Sequence, residues 1–401
     1  MAWSTHPNIL RLYIIKLSKW LMLTMPILYL FYQENGLAAQ DLFLLKAVYS
    51  ISIFCLEVPS GYFGDIWGRK ASLILGSILG FVGFGLYCFS QGFWSFLCCE
   101  IILGAGQSFI SGSDSALLYD TLKDQKREGE YLKLEGRILS AGNFAEALAA
   151  PLGVLIAGLS LRTPFYFQAL VAFSAIPAAL TLVEPQRRKL KGRQNFDQMR
   201  RIIRYALKEH KGLRGAIVYS SIMGTATLTM AWFVQPYFVH LALPLTYYGI
   251  LIPLLNLTTG FVSIRAHRVE ARLGREGTVF FIAAGIAGGY LSMGFWGGMG
   301  GLVFLFLFYV VRGVATPVLK NQINELSPSE YRATILSIRS LIIRSAFALL
   351  GPCLGRAADT WGVPHSLAVG GGLFLVTGLA AAWFFVRAWQ PPMPAGSEDP
   401  A

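Results

Sequence analysis

Charged residues are scarce in this chain of 401 residues, and the scarcity is informative. Only 14% of the residues are charged and 54% are hydrophobic, whereas a soluble globular domain carries about 25% charged residues. A soluble globular domain is therefore excluded, and the composition indicates a polytopic membrane protein.

Signals for nucleotides, metals and covalent catalysis are missing as well. No phosphate-cradling loop of the Walker type is present, so ATP-driven transport is not supported. The five histidines lack metal-ligand spacing, and the five cysteines lie inside apolar segments, where they act as small hydrophobic residues. No serine or cysteine has a convincing base partner. We expect no cofactor, no metal site, no disulfide and no enzymatic activity.

Basic residues, in contrast, are abundant, and the formal net charge is +12. In a soluble protein this excess would suggest a nucleic-acid partner. Here most basic residues fall in alternate loops between apolar segments, as the positive-inside rule describes, so no nucleic acid is expected. The first apolar run, from about Leu12 to Tyr32, has no small-residue cleavage site after it and is predicted to be a retained helix.

Twelve apolar segments are long enough to cross a bilayer, so the predicted fold is all-α with twelve transmembrane helices. Basic loops alternate with loops nearly free of Lys and Arg, which puts both termini in the cytoplasm. The predicted spans are 12–33, 42–64, 71–91, 94–120, 136–160, 164–184, 214–240, 247–266, 277–296, 299–321, 333–357 and 365–388.

The longest connection, 185–213, separates six spans from six and is strongly basic. Its apolar residues recur at helical spacing, which predicts an amphipathic helix on the anionic inner leaflet; a solvated linker helix is the alternative. The apolar residues are Met199, Ile202, Ile203 and Ala206. The predicted domains are a six-helix bundle (1–184), this linker (185–213), a second six-helix bundle (214–390) and a disordered tail (391–401).

One tight connection carries a distinctive pattern, Gly-Tyr-Phe-Gly-Asp-Ile-Trp-Gly-Arg-Lys at residues 61–70. This stretch resembles the signature loop between helices 2 and 3 of the major facilitator superfamily of transporters. The resemblance implies two six-helix bundles, related as parallel repeats, that work by alternating access. The resemblance in topology covers the whole chain, but only this loop matches a specific sequence motif of the family.

The resemblance also implies roles for individual loop residues. Gly61 would allow close helix contact, and Gly68 would permit the turn. Asp65 can cap a helix N-terminus. Asp65 and Arg69, beside Lys70, would pair with an acid at the cytoplasmic end of span 4, where Asp120 lies, and this lock would release during the cycle. A capping and topology signal alone is the alternative interpretation.

Two motifs depart from the family. Glu100 stands early in span 4, where the family often has an arginine, so proton-coupling schemes built on that arginine do not transfer. Span 5 keeps only Pro151 and its small neighbours from the pattern typical of drug antiporters. The direction of transport is therefore not settled by motif.

Acidic residues within the first six spans are candidates for proton coupling, because a charge deep in a membrane is functional by default. Glu100, Gly104, Gln107, Ser111 and Asp114 recur at helical spacing on span 4, so this stripe must face protein or a water-filled cavity. The resemblance implies the cavity, because helices 1, 4, 7 and 10 line it in that fold.

Asp114 is the first candidate, because burial favours the neutral form of a carboxyl group and allows protons to load and unload. Glu146 and Glu57 join Glu100 as further candidates. Glu57 has the alternative of pairing with Lys16 or Lys19, and Glu146 that of a hydrogen bond within the bundle. Lys16, Lys19 and Lys46 are expected to snorkel.

The second half carries the opposite charge. Arg312 and Arg344 either form ion pairs between the bundles or bind an anionic group of a substrate; Arg344 has the further alternative of bracing helix ends. Further cavity candidates are polar or aromatic residues, for which helix packing is the alternative. They are Gln107, Ser111, Asn143, Thr229, Trp232, Gln235 and Asn256.

These observations predict a monomeric, proton-coupled secondary transporter in the cell (inner) membrane. The expected partners are a small-molecule substrate, protons and the lipid bilayer. Export of drug-like or amphipathic compounds is the leading prediction, and a carrier specific for one metabolite, including a carboxylate, is the alternative. Two rival classes are disfavoured. An intramembrane hydrolase built on Asp114 and Glu146 would not need twelve helices in two similar halves, and a non-transporting receptor or scaffold would not need deep charges in both halves.

Overall fold

The computed structural model describes residues 7–185, 200–328 and 331–389. Across these ranges the regular structure is helical. The α-helices are α1 (Pro7–Trp20), α2 (Leu28–Glu34), α3 (Ala39–Trp67), α4 (Arg69–Tyr87), α5 (Gly92–Ile110), α6 (Ser113–Asp124), α7 (Tyr131–Ala157), α8 (Thr163–Thr181), α9 (Lys211–His240), α10 (Leu245–Phe295), α11 (Gly301–Leu326), α12 (Arg332–Trp361) and α13 (Val363–Ala388).

Eleven helical stretches in the described part of the chain are long and apolar enough to cross a membrane. One of them, α10, has 51 residues and consists of two helices joined at a kink, enough for two crossings at about 20 residues each. Its helical geometry breaks only at Gly274, with φ +68°, in the predicted loop between spans 8 and 9. The twelve-span count and the sides of the termini stay predictions.

The predicted first span is interrupted rather than continuous. Between α1 and α2 the chain forms an irregular stretch and a short 3₁₀ turn, Met25–Ile27. Proline at position 26 has no N–H to donate to a helical ladder. Backbone groups freed by the break need other partners when they are buried, and side chains from other helices provide them, as described below.

Gly153 of α7 packs directly on this break. A Cβ atom added at Gly153 would lie 2.0 Å from the carbonyl oxygen of Leu23, so only glycine fits there without movement of backbone. The close approach fixes the irregular part of span 1 against α7.

We expect Gly153→Ala to destabilise the protein, although alanine in a helix normally gains about 0.5–1 kcal/mol over glycine. Overpacking against backbone costs about 1–3 kcal/mol, so the thermal midpoint of the purified protein should fall. Gly136→Ala is the matched control, because it lies in the same helix with open space around it. Equal midpoints for the two variants would contradict the packing described.

The predicted fourth span is also interrupted, so the prediction of one continuous polar stripe was wrong. Helix α5 ends at Ile110 and α6 begins at Ser113. Ser111 is extended and Gly112 has φ +79°, a conformation that glycine adopts without strain. Asp114 therefore lies in the first turn of a separate helix, not on the stripe of Glu100.

By their contacts, the described residues divide into two compact units. The first comprises those of Met1–Gly192, Gln235–Leu254 and Gly351–Gly355, and the second those of Arg193–Val234, Leu255–Leu350 and Arg356–Ala401. One core cluster of the first unit joins apolar residues of α1, α4, α5, α6, α7 and α8. In the second unit, the buried Tyr219 and Tyr290 hydroxyls link α9 and α10 through bonds to the carbonyls of Val279 and Ala226.

The predicted interfacial linker helix is partly covered by protein. Met199 lies outside the described residues. Residues 200–204 are helical and Tyr205–Glu209 form a π-helical turn. Ile202 and Ala206 are buried, so these two residues of the apolar face pack on protein instead of lipid, which corrects that part of the prediction.

Candidate functional site

The signature loop makes the contact predicted for it. Gly68 turns the chain between α3 and α4 with φ +113°, a conformation that favours glycine. The Arg69 guanidinium lies 2.5 Å from the Asp120 carboxylate and also donates to the Ala116 carbonyl. The predicted pairing of Arg69 with Asp120 is therefore present, and its action as a lock stays a prediction.

Other details of the loop differ from the prediction. The N-terminus of α4 is capped by Glu184, whose carboxylate accepts the N–H groups of Arg69 at 2.9 Å and Lys70 at 2.7 Å. Sequence reasoning did not single out Glu184. Gly61 has open space around it, so it makes no close helix contact; Gly64 does, against Ser72 and Ser113.

Asp114 forms an ion pair with Lys16 of α1, with 2.7 Å between Nζ and Oδ2. Its Oδ1 accepts the N–H of Ser115 at 2.8 Å, and the Ser115 hydroxyl donates to Glu135 of α7 at 2.7 Å. The Asp114 and Lys16 side chains are only 10% and 13% exposed. Snorkelling was therefore the wrong prediction for Lys16, and this network links the first, fourth and fifth predicted spans.

Glu100 lies in a second charged network, deeper within the first unit. Its Oε1 accepts bonds from Lys46 of α3, from the Tyr87 hydroxyl and, at 3.0 Å, from the Tyr32 hydroxyl. Glu100 is 1% exposed and Lys46 is 8% exposed. Lys46 was predicted to snorkel, which is wrong because it is buried against an acid.

The burial of Glu100 also corrects its predicted cavity position. Gly104, one turn further along α5, packs on Ser52 and the Tyr49 carbonyl of α3, which is how small residues bring membrane helices together. The face of α5 that carries Glu100 and Gly104 is therefore closed by protein.

Gln235 of α9 satisfies two backbone groups at the interruption of the first span. Its side-chain oxygen accepts the Tyr29 N–H at 2.8 Å, and its side-chain nitrogen donates to the Met25 carbonyl at 2.7 Å. Gln168 of α8 acts similarly, accepting the Leu23 N–H at 2.8 Å. Both glutamines are buried. The Gln235 amide was predicted to line a substrate cavity, but its two ends are occupied by backbone.

The remaining predicted site residues differ in how far their side chains are exposed. Thr229 is fully buried and its hydroxyl has no hydrogen-bond partner among the described residues. Four candidates are exposed and five are half-buried. The exposed ones are Glu57, Ser111, Asn143 and Asn256, and the half-buried ones are Gln107, Glu146, Trp232, Arg312 and Arg344.

Comparisons with known proteins agree with this architecture. The family model of the Major Facilitator Superfamily matches residues 17–352. The quinolone resistance protein NorA of Staphylococcus aureus is 23% identical over 176 residues, which are 44% of this chain and 44% of NorA. The chain thus spans less than half of the length of this curated relative.

Solved structures show the same fold over nearly the whole chain. The nucleoside transporter NupG is 14% identical with a TM-score of 0.79, covering 94% of this chain and 99% of NupG. A D-xylose–proton symporter is 16% identical with a TM-score of 0.73, covering 96% and 97% of the two chains.

Proposed function

Because the chain belongs to the Major Facilitator Superfamily, and is thus a membrane transporter and not an enzyme, we propose that it exports small amphipathic organic solutes in exchange for protons. Asp114 is the proposed coupling residue. The observation that carries this proposal is the Lys16–Asp114 ion pair at the interruption of span 4.

Protonation of Asp114 removes the negative charge that Lys16 balances. The ion pair then gives way, and a lysine left nearly buried without a counter-charge is unfavourable. Protonation of Asp114 would thereby be coupled to a movement of α1 relative to α6. Ser115 joins this site to α7, because its N–H donates to Asp114 and its hydroxyl donates to Glu135.

Export, rather than uptake, is supported by the similarity to NorA, whose name is that of a resistance protein. A specific carrier for an acidic metabolite is the second candidate function, and the arginines of the second unit favour it. We further propose that the protein is a monomer with both termini in the cytoplasm. Its basic linker would lie at the anionic inner leaflet of the cell (inner) membrane, and the Arg69–Asp120 pair would act as a conformational lock.

Proton exchange can be tested in everted membrane vesicles that hold a pH gradient, reported by quenching of an acridine dye. Cationic dyes, quinolones and amphipathic organic acids are added in turn. A transported solute should discharge the gradient in vesicles with the protein and not in vesicles without it. If no solute does so while the folded protein is abundant in the membrane, proton-coupled export of such compounds is wrong.

A further inference from the structure

The second unit has an uneven distribution of charge between its helix interiors and its helix ends. Its described acidic residues lie near helix ends or near the break at Gly274; they are Glu209, Glu270, Glu276, Glu325 and Asp359. Arg312 and Arg344, in contrast, lie well inside α11 and α12. Within the described residues, the helix interiors of this unit therefore carry positive charge and no carboxylate.

Arg312 and Arg344 lie at similar depth. Arg312 precedes the end of α11 at Leu326 by roughly 14 residues, and Arg344 follows the start of α12 at Arg332 by roughly 12. These distances are about 21 and 18 Å along the helix axes, measured from the same connecting loop. Both side chains are half-buried.

Neither guanidinium group forms an ion pair in the described part of the chain, whereas several other cations do. Lys16 and Lys46 each contact an acid, and Arg275 in the second unit contacts Glu325 at 2.8 Å. The Arg312 guanidinium lies 5.1 Å from the centre of the Tyr309 ring, a cation–π arrangement, and it also interacts with the Tyr309 hydroxyl, so Tyr309 orients it without neutralising its charge. An unpaired charge deep in a membrane protein is costly and marks a functional position.

We propose that Arg312 and Arg344 recognise a carboxylate group of the transported solute. This proposal rests on the proposed transport function and narrows its substrate class to amphipathic organic acids. The planar guanidinium fork donates two parallel bonds to a carboxylate, and Tyr309 supplies an aromatic surface beside Arg312. The neighbouring Arg339 is already engaged, with its Nε 2.5 Å from the Ser220 hydroxyl, and is not part of the proposal.

The test is binding of matched pairs of aromatic carboxylic acids and their primary amides, such as naphthoic acid and naphthamide, to the purified protein. Isothermal titration gives the affinities. Wild type is expected to bind acids about 10- to 100-fold more tightly than the amides, the range of a hydrogen bond to a charged group. Arg312→Gln and Arg344→Gln should each reduce this preference at least tenfold, with Arg312→Lys intermediate.

Arg387→Gln is the control, because Arg387 also packs on an aromatic ring, that of Trp383, but lies at the end of α13. It should keep the preference of wild type. A panel in which no acid binds wild type better than its amide overturns the proposal. So does a preference that survives in both glutamine variants.

Transport separates this proposal from the proposed function. Wild type that exchanges solutes for protons but shows no preference for acids contradicts only the carboxylate site. Wild type that binds acids with the expected preference, yet discharges no pH gradient, contradicts only the proton-coupled function.

Discussion

Asp114→Asn should abolish transport driven by a proton gradient while leaving the fold intact. Asparagine has the size of aspartate and still accepts the Ser115 N–H, but it cannot load a proton or balance Lys16. Without a group that binds and releases the proton, the gradient cannot drive the solute, so gradient-driven flux should fall to the level of protein-free vesicles. The measurement is the initial rate of gradient-driven solute flux in proteoliposomes, compared with solute exchange at equal pH on both sides.

Exchange at equal pH should persist in Asp114→Asn, because it requires no net proton movement. Glu130→Gln is the matched control, since that acid pairs with Arg127 on the exposed connection after α6 and should behave as wild type. Gradient-driven flux at the wild-type rate in Asp114→Asn would remove this residue from the coupling mechanism.

Lys46→Met should lower the free energy of unfolding by about 3–5 kcal/mol, the cost of leaving a buried charge without its partner. Glu100 would then keep only the hydroxyls of Tyr32 and Tyr87 as donors. The thermal midpoint of the purified protein measures the effect. Lys46→Met/Glu100→Gln should recover most of the loss, since the amide oxygen still accepts from the tyrosines and no charge remains.

The double variant also distinguishes a structural pair from a coupling site. Its gradient-driven flux should resemble that of wild type, because Asp114 is unchanged. A double variant that is stable but uncoupled would assign proton coupling to Glu100, and a single variant as stable as wild type would show that the pair contributes little to folding.

The sequence predicted the helical fold well because a transmembrane helix is recognised from local composition, a run of about 20 apolar residues, without knowledge of its neighbours. The Arg69–Asp120 contact was predicted through the resemblance of the loop to the family signature. Pro26 is a signal for the break in span 1, because proline disrupts a helix. The break in span 4 was not predicted, because apolar composition continues through it. Gly112 was the available signal, but a single glycine in an apolar run more often packs than breaks a helix.

The partners of buried charges were harder still. Lys16 and Asp114 are far apart in sequence, as are Lys46 and Glu100, and periodicity gives the face of one helix but not the neighbour that covers it. Lys46 was expected at a membrane surface because its depth was judged from an approximate helix boundary. Glu184 and Gln168 were missed for a related reason, since each satisfies backbone groups whose exposure depends on the tertiary fold.

The glycine at position 112 also has a mechanical consequence. Because the helical hydrogen bonds are interrupted there, span 4 consists of two separate helices, α5 and α6, joined by a short connection. A rotation of one helix is therefore poorly transmitted to the other. We expect α6, which holds Asp114, to shift when its pairing with Lys16 is broken, while α5 stays anchored to α3 by the Lys46–Glu100 contact. A proton arriving at Asp114 would move half of a helix instead of a whole bundle.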